Sequence, residues 1–229
     1  MRDGLANPVA LQRKSDGSRI AVGLANASCC WSAKDAKALP IAFKLGDWHH
    51  SSHRYQDRRF DTAGVSLANP ASNGVPLDHD GDRGVYGVVD AMLYRARTGG
   101  TLSALVRLVG GSPSDHNLVS FDEDAGLSYK GLIPARADDT AGIAFGMARI
   151  GANARGLDQD IRYFSGNPSF PVRNFEAVLE VTYQAQVTPW MTLQPDVQYV
   201  FHPDGHVLNA DGSIRRDALV FGLHSVLSF

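Results

Sequence analysis

The sequence predicts an all-β protein, specifically an antiparallel up-and-down transmembrane β-barrel. Three observations carry that reading. The chain closes on an alternating strand, Asp217 to Phe229. The two candidate strands before it each set an apolar face against a face of amides and carboxylates. Short links alternate with long ones along most of the chain.

In the closing segment, Leu219, Phe221, Leu223, Leu227 and Phe229 occupy odd positions. Ala218, Gly222, His224 and Ser228 occupy even ones, interrupted by Val220 and Val226. Period-two alternation means a strand with one greasy and one wetter face. A membrane barrel ends on such a strand and sets its aromatic at the bilayer interface. A soluble sandwich contains similar strands, so this segment alone leaves both folds open.

The preceding candidate runs from Met191 to His202. Met191, Leu193, Pro195, Val197, Tyr199 and Phe201 alternate with Thr192, Gln194, Asp196, Gln198, Val200 and His202. Pro195 counts against a central strand, because it cannot donate to the ladder. Before it lies Asn174 to Val187. Phe175, Ala177, Leu179, Val181, Tyr183, Ala185 and Val187 form one face there, and Glu176, Val178, Glu180, Thr182, Gln184 and Gln186 the other. A sandwich strand packs one face into a dry core. Adjacent faces dense in Glu, Gln and Asp fit a water-filled lumen better.

Six earlier candidates are less regular: Ile20–Ala27, Leu39–His49, Gly84–Ala96, Thr101–Val109, Val119–Leu132 and Thr140–Ala152. That makes about nine strands, and no segment shows a helical period. Links at Arg97–Gly100, Ile133–Asp139 and Thr188–Trp190 are short. Those at His50–Arg83, Gly110–Leu118, Asn153–Arg173 and Pro203–Arg216 are longer and polar. Turns on one side and loops on the other are the pattern of an up-and-down barrel.

Composition narrows the partners. The 229 residues suit one large β domain, expected over 1–229 with a poorly defined segment at 1–19. A net charge of −2 implies no nucleic-acid partner. No window approaches 18 apolar residues, which excludes a transmembrane helix but not a barrel. Mean hydropathy, −0.17, does not separate the two classes. Met1-Arg2-Asp3-Gly4 lacks a basic stretch followed by an apolar run, so the chain reads as a mature form, a truncated frame or a fragment. Cys29 and Cys30 are adjacent, a poor spacing for a mutual bridge or a metal site.

The ordered motifs carry a resemblance. Asn174-Phe175-Glu176-Ala177-Val178-Leu179-Glu180-Val181-Thr182-Tyr183, Val187-Thr188-Pro189-Trp190-Met191 and Leu193-Gln194-Pro195-Asp196-Val197-Gln198-Tyr199-Val200 are similar to the C-terminal region of OprB-type carbohydrate-selective porins. Leu45-Gly46-Asp47-Trp48-His49-His50, Gly84-Val85-Tyr86-Gly87 with Tyr94-Arg95, and the run Ala125 to Asp139 continue the likeness, as does the closing strand. The resemblance implies a sixteen-stranded outer-membrane barrel that admits sugars by diffusion. About nine strands fall short of that, so the expected fold is a partial barrel lacking the N-terminal strands. Implied partners are carbohydrate solutes, outer-membrane lipid, the barrel-assembly machinery through Phe229, and further copies in a homo-oligomer.

A sugar channel needs lumen groups that exchange hydrogen bonds with hydroxyls. The alternation puts Glu176, Glu180 and Gln184 on the wet face of one strand, and Gln194, Asp196 and Gln198 on that of the next. Lys44, Asp90 and Arg107 are looser pore-lining candidates. Arg54, Arg58 and Arg59 fall in the longest link and are candidates for a constriction loop. The bland reading makes all of these solvated groups.

No enzymatic activity, cofactor or metal is expected. His49 and His53 have helical zinc spacing, but Ser51 and Ser52 stand where a glutamate is needed. Asp78-His79-Asp80-Gly81-Asp82 resembles part of a calcium loop, yet twelve positions from Asp78 end at Val89 rather than a glutamate. Glu176 and Glu180 lie four apart on one strand face, roughly 13 Å, against the roughly 5–9.5 Å of a glycosidase pair. The alternative to the channel is a soluble or surface β-domain that binds a ligand or metal without catalysis.

Overall fold

The computed structural model describes residues 10–13, 19–31 and 39–228, the first two stretches as backbone alone. Ten strands occur among them. They are β1 (Ala10–Arg13), β2 (Arg19–Trp31), β3 (Ile41–Asp61), β4 (Pro76–Arg95), β5 (Thr101–Gly110), β6 (Val119–Lys130), β7 (Thr140–Ile150), β8 (Phe175–Thr188), β9 (Met191–Phe201) and β10 (Ala218–Leu227). One helix, α1 (Ala152–Phe164), lies between β7 and β8. All strands join one antiparallel sheet in chain order, β1 through β10, and β1 and β10 do not pair with each other. Phe229, proposed from the sequence as an assembly signal, and most of 1–19 lie outside the described residues.

Period-two alternation explains why the register is so regular. One row of directly paired residues reads Phe43, Val89, Val106, Ala125, Phe145, Leu179, Tyr199 and Leu219 from β3 to β10. A neighbouring row reads Ala42, Asp90, Leu105, Gly126, Ala144, Glu180, Gln198 and Val220. The sheet therefore has one apolar face and one mixed polar face. Leu45, Phe221 and Leu223 stay more than 60% exposed on the apolar face. Among the described residues the buried hydrophobics are Ile150, Ala154 and Ala177. A sheet with its greasy side outermost and no dry core is built for hydrocarbon on that side.

Three features differ from the sequence expectation. The strand count is ten rather than about nine, because β1 is a four-residue strand too short to show alternation. The link expected at His50–Arg83 is largely strand. β3 spans 21 residues and β4 spans 20, leaving residues 62–75 as the connection. At about 3.3 Å per residue β3 is roughly 70 Å long, far more than the roughly 25 Å apolar band of a barrel. The pair thus projects beyond the band as a tall hairpin. The third difference is α1, in a stretch expected to be loop. Its buried residues are Ala154, Gly156 and Asp158, and Ala154, Leu157, Ile161 and Phe164 recur at helical spacing, a period the strand reading passed over.

Pro195 sits inside β9 after all. Pairing with β8 lapses between Thr182/Asp196 and Ala185/Leu193, while pairing with β10 continues through Leu223 opposite Pro195. Side chains fill the gap: Gln194 Nε2 donates to Thr182 Oγ1 at 2.9 Å, and Thr182 Oγ1 donates to the Pro195 carbonyl at 3.3 Å.

Candidate pore face and mouth

Pairing register alone assigns faces. Lys44 (β3), Asp90 (β4), Arg107 (β5), Glu176, Glu180 and Gln184 (β8), and Gln194, Asp196 and Gln198 (β9) all fall on the polar face. The structure draws some of them together. Gln198 Nε2 bridges Glu180 Oε2 at 3.1 Å and Asp196 Oδ1 at 2.9 Å. Asp196 is nearly fully buried. Its carboxylate lies over Gly222 of β10, where a Cβ would collide with it, and His224 Nε2 stands 3.5 Å from Oδ2.

Arg107 is held flat on the wall by two acids of β6. It donates to Asp124 at 2.5 Å and to Asp122 at 3.1 Å. Between that cluster and the Glu180 group, β7 presents Gly142, Ala144, Gly146 and Ala148 on the same face. A cavity of about 440 Å³ opens against Gly142 and Ala144, bordered by Asp90, Ser103, Ser128 and Thr182. Glu176 sits apart, at the long-loop end, where it accepts the Asp204 amide at 2.5 Å. Lys44 and Asp90 remain exposed on strands remote from the Glu180 group.

Two aromatics that the alternation did not single out share this face. The Trp48 ring covers Gly84, and the Tyr86 ring covers Gly46. Gly46 pairs with Tyr86 and Trp48 with Gly84, so the two rings lie side by side on β3 and β4. A ring can lie flat there because a glycine leaves no Cβ beneath it. The glycines flanking an aromatic two residues away on each strand were the available signal.

The arginines expected in a loop stand elsewhere. Arg54, Arg58 and Arg59 all belong to β3, in its projecting half. Arg54 is exposed beside Asp78 and Asp80 of β4. Arg58 donates from Nε to the His116 carbonyl at 2.9 Å. Arg59 makes a two-pronged pair with Asp160 of α1, at 2.8 and 3.1 Å, and Ser66 adds a third donor at 2.7 Å. Gly156 of α1 allows this approach, since a Cβ there would meet the Arg59 guanidinium. The helix is anchored at its far side by Arg173, which donates to both oxygens of Asp158. It thus reaches from the β7–β8 connection to β3, bridging the end of the sheet over β4, β5 and β6.

The tip of the tall hairpin is organised by Asp61, which is fully buried. It accepts the Ala63, Val65 and Asn73 amides and the Ser72 hydroxyl. Burial works against its ionisation, but these donors outweigh it and hold the carboxyl below its ordinary range. Asp160 is likewise depressed: burial opposes ionisation, and Arg59 and Ser66 overcome it. Among the described residues, no three His, Cys, Asp or Glu side chains converge as metal ligands would. His49, across from Arg83, and His53, against Tyr55, are directed to different neighbours. The apparent calcium loop is a strand edge of β4.

A family model for "Carbohydrate-selective porin, OprB family" matches residues 1–229. The chain belongs to the OprB family of carbohydrate-selective porins. Porins of this family are outer-membrane proteins of Gram-negative bacteria. Porin B of Pseudomonas aeruginosa is 24% identical over 201 residues, which covers 84% of this chain and 43% of that protein. The solved structure of Pseudomonas putida OprB superposes with a TM-score of 0.79 at 24% identity, covering 94% of this chain and 50% of that one. The chain therefore spans about half the length of these OprB relatives, and its sheet has the fold of about half of a porin barrel. An all-β antiparallel sheet of porin type agrees with the sequence expectation.

Proposed function

We propose that the 229 residues act as one domain forming the wall of a water-filled outer-membrane channel through which carbohydrates diffuse passively. The supporting observation is the shared face. Six candidate residues picked by alternation and the three looser ones, from five strands in all, fall on one side of a sheet whose other side is apolar. In this reading Glu180, Gln184, Gln194 and Gln198 offer a carboxylate and amides to passing hydroxyls, and buried Asp196 holds the Gln198 amide in place. Arg107 sets local charge, Lys44, Asp90 and Glu176 keep the wall hydrated, and Trp48 and Tyr86 offer flat surfaces to sugar rings. Helix α1 narrows the mouth, and Arg59 holds it there. The protein performs no bond chemistry. Lipid covers the apolar face, further copies associate through it, and the barrel-assembly machinery reads the closing strand with Phe229.

The test is reconstitution. The chain is refolded in detergent and added to a planar bilayer. Conductance that falls on adding sugar is the expected result. A folded monomer in plain buffer, with no detergent requirement, would overturn the reading. Detergent-dependent β structure without conductance would show that this length of chain supplies wall but not a closed pore.

A further inference from the structure

Between β4 and β8 the wet face is recessed, and the rim of the recess is chemically sorted. One directly paired row reads Asp90, Leu105, Gly126 and Ala144. The next reads Ser103, Ser128, Gly142 and Thr182. Gly126, Gly142 and Ala144 carry no more than a methyl, and together they floor the cavity of about 440 Å³. That volume lies within the roughly 300–1,000 Å³ of small-molecule sites.

Two apolar contacts face each other across this floor. Leu105 is 43% exposed on a face that otherwise meets water with polar groups. An exposed large apolar side chain in a polar setting is the informative exception. On the far side, Thr182 engages its hydroxyl with Gln194 and the Pro195 carbonyl, which turns its methyl toward β7. A Cβ on Gly142 would stand 3.1 Å from that methyl. Asp90, Ser103 and Ser128 complete the rim. Among the described residues, no hydrogen bond or ion pair occupies these three side chains. Arg107, two positions nearer the mouth on β5, is already engaged by Asp122 and Asp124. The described residues bordering the recess therefore include one carboxylate and no cation.

We propose that this recess is a binding subsite for a single neutral sugar ring. The proposal rests on the channel reading and assigns Asp90 a role beyond hydrating the wall. A sugar ring pairs C–H patches with a rim of hydroxyls, and the recess offers the complement of both. Leu105 and the Thr182 methyl meet the C–H patches. Asp90 accepts from ring hydroxyls, and Ser103 and Ser128 donate or accept as each hydroxyl requires. An ionised solute would meet the Asp90 carboxylate without a compensating cation, so the site rejects sugar acids.

The test is saturation-transfer NMR on the full chain in detergent micelles, titrated with D-glucose and with D-glucuronate. Saturable glucose binding is expected, with glucuronate about tenfold weaker. Gly126→Leu fills the recess, and the nearest neighbour of a Cβ there lies at 3.5 Å, an ordinary contact. This variant should weaken glucose binding about tenfold while circular dichroism keeps its β signature. Ser103→Ala combined with Ser128→Ala should also weaken it, by about tenfold, without adding volume. Asp90→Asn should bring glucuronate within about threefold of glucose. Val200→Leu, on the same face of β9, should change neither sugar. Three results would overturn the subsite: no saturable glucose binding, glucuronate binding as tightly as glucose, or full glucose binding in both Gly126→Leu and the serine double variant. The channel is judged separately in the planar bilayer. Sugar-sensitive conductance without saturable binding would keep the channel and remove the subsite. Saturable binding without conductance would keep the subsite in a wall that does not close.

Discussion

At the scale of single residues, close approach decides where polar and aromatic groups lie on the wet face. Trp48 rests on Gly84 and Tyr86 on Gly46, and the two sequence motifs that carry them form one cross-strand unit. Each motif reads as an isolated family likeness in the sequence, because register between β3 and β4 is not written in either. Gly84→Val would force the Trp48 ring off its seat. We expect a loss of about 2 kcal/mol, in the range of overpacking, seen as a lower unfolding midpoint and a red-shifted tryptophan emission. Val88 lies two residues from Tyr86 on the same face, and Val88→Ala makes a suitable control for the spectral change.

Individual acids at the mouth carry a pH signature of their own. Asp61 and Asp160 have folded pKa values below their unfolded ones. For a depressed carboxylate, the stabilisation is fully present above the unfolded value, about 4, and is lost as pH falls through the folded one. Order in residues 62–75 should therefore persist at pH 5 and decline below about pH 4. Asp61→Asn should mimic the acid state at neutral pH. Limited proteolysis within 62–75, at least tenfold faster in the variant, is the expected readout. Unchanged cleavage would show that the tip is ordered by other contacts.

At the scale of elements, the strands were legible and the helix was not. Alternation of Phe175 to Val187 and of Met191 to Phe201 gave β8 and β9 nearly residue by residue, since lipid and water impose opposite demands on successive positions. Helix α1 buries Ala154, Gly156 and Asp158 and is held by ion pairs at either side; its apolar period, Ala154, Leu157, Ile161 and Phe164, is short and sits inside a long polar link, where a search for alternation passes over it. The tall hairpin was read as loop because its residues above the band are polar on both faces. Its backbone ladder is made there by β3 and β4 alone. The cluster of Asp57, His79, Asp82, Asp115 and His116 was illegible for a related reason: its members come from three separate segments, and local reading assigned His79 and Asp82 to an incomplete calcium pattern. Asp160→Ala would leave Arg59 unpaired at the helix. We expect a cost of about 2 kcal/mol to α1 docking, measured as increased hydrogen exchange in 152–164 with strand protection retained.

At the scale of the whole molecule, every strand pairs with its neighbours in chain order, and the long connections gather at one end. The cross-sheet rows from β3 to β10 separate an apolar face from a polar one without a dry core between layers. Belonging to the OprB family fits that division. The sequence reached this architecture because a barrel wall repeats one simple rule on each strand. It could not reach the mouth, where the contacts depend on which loops meet over the end of the sheet.

The bridge from α1 to β3 has a kinetic consequence. All strand pairing is local, joining segments separated by short turns or by one loop, and such contacts form early and cheaply. The Arg59–Asp160 pair instead closes a span of 101 residues. Each doubling of a closed loop costs about 0.6 kcal/mol in chain entropy. The hairpins should zip first, with the helix docking last and detaching first. The mouth of this wall would then breathe on a faster timescale than the wall itself, while every β-ladder stays intact.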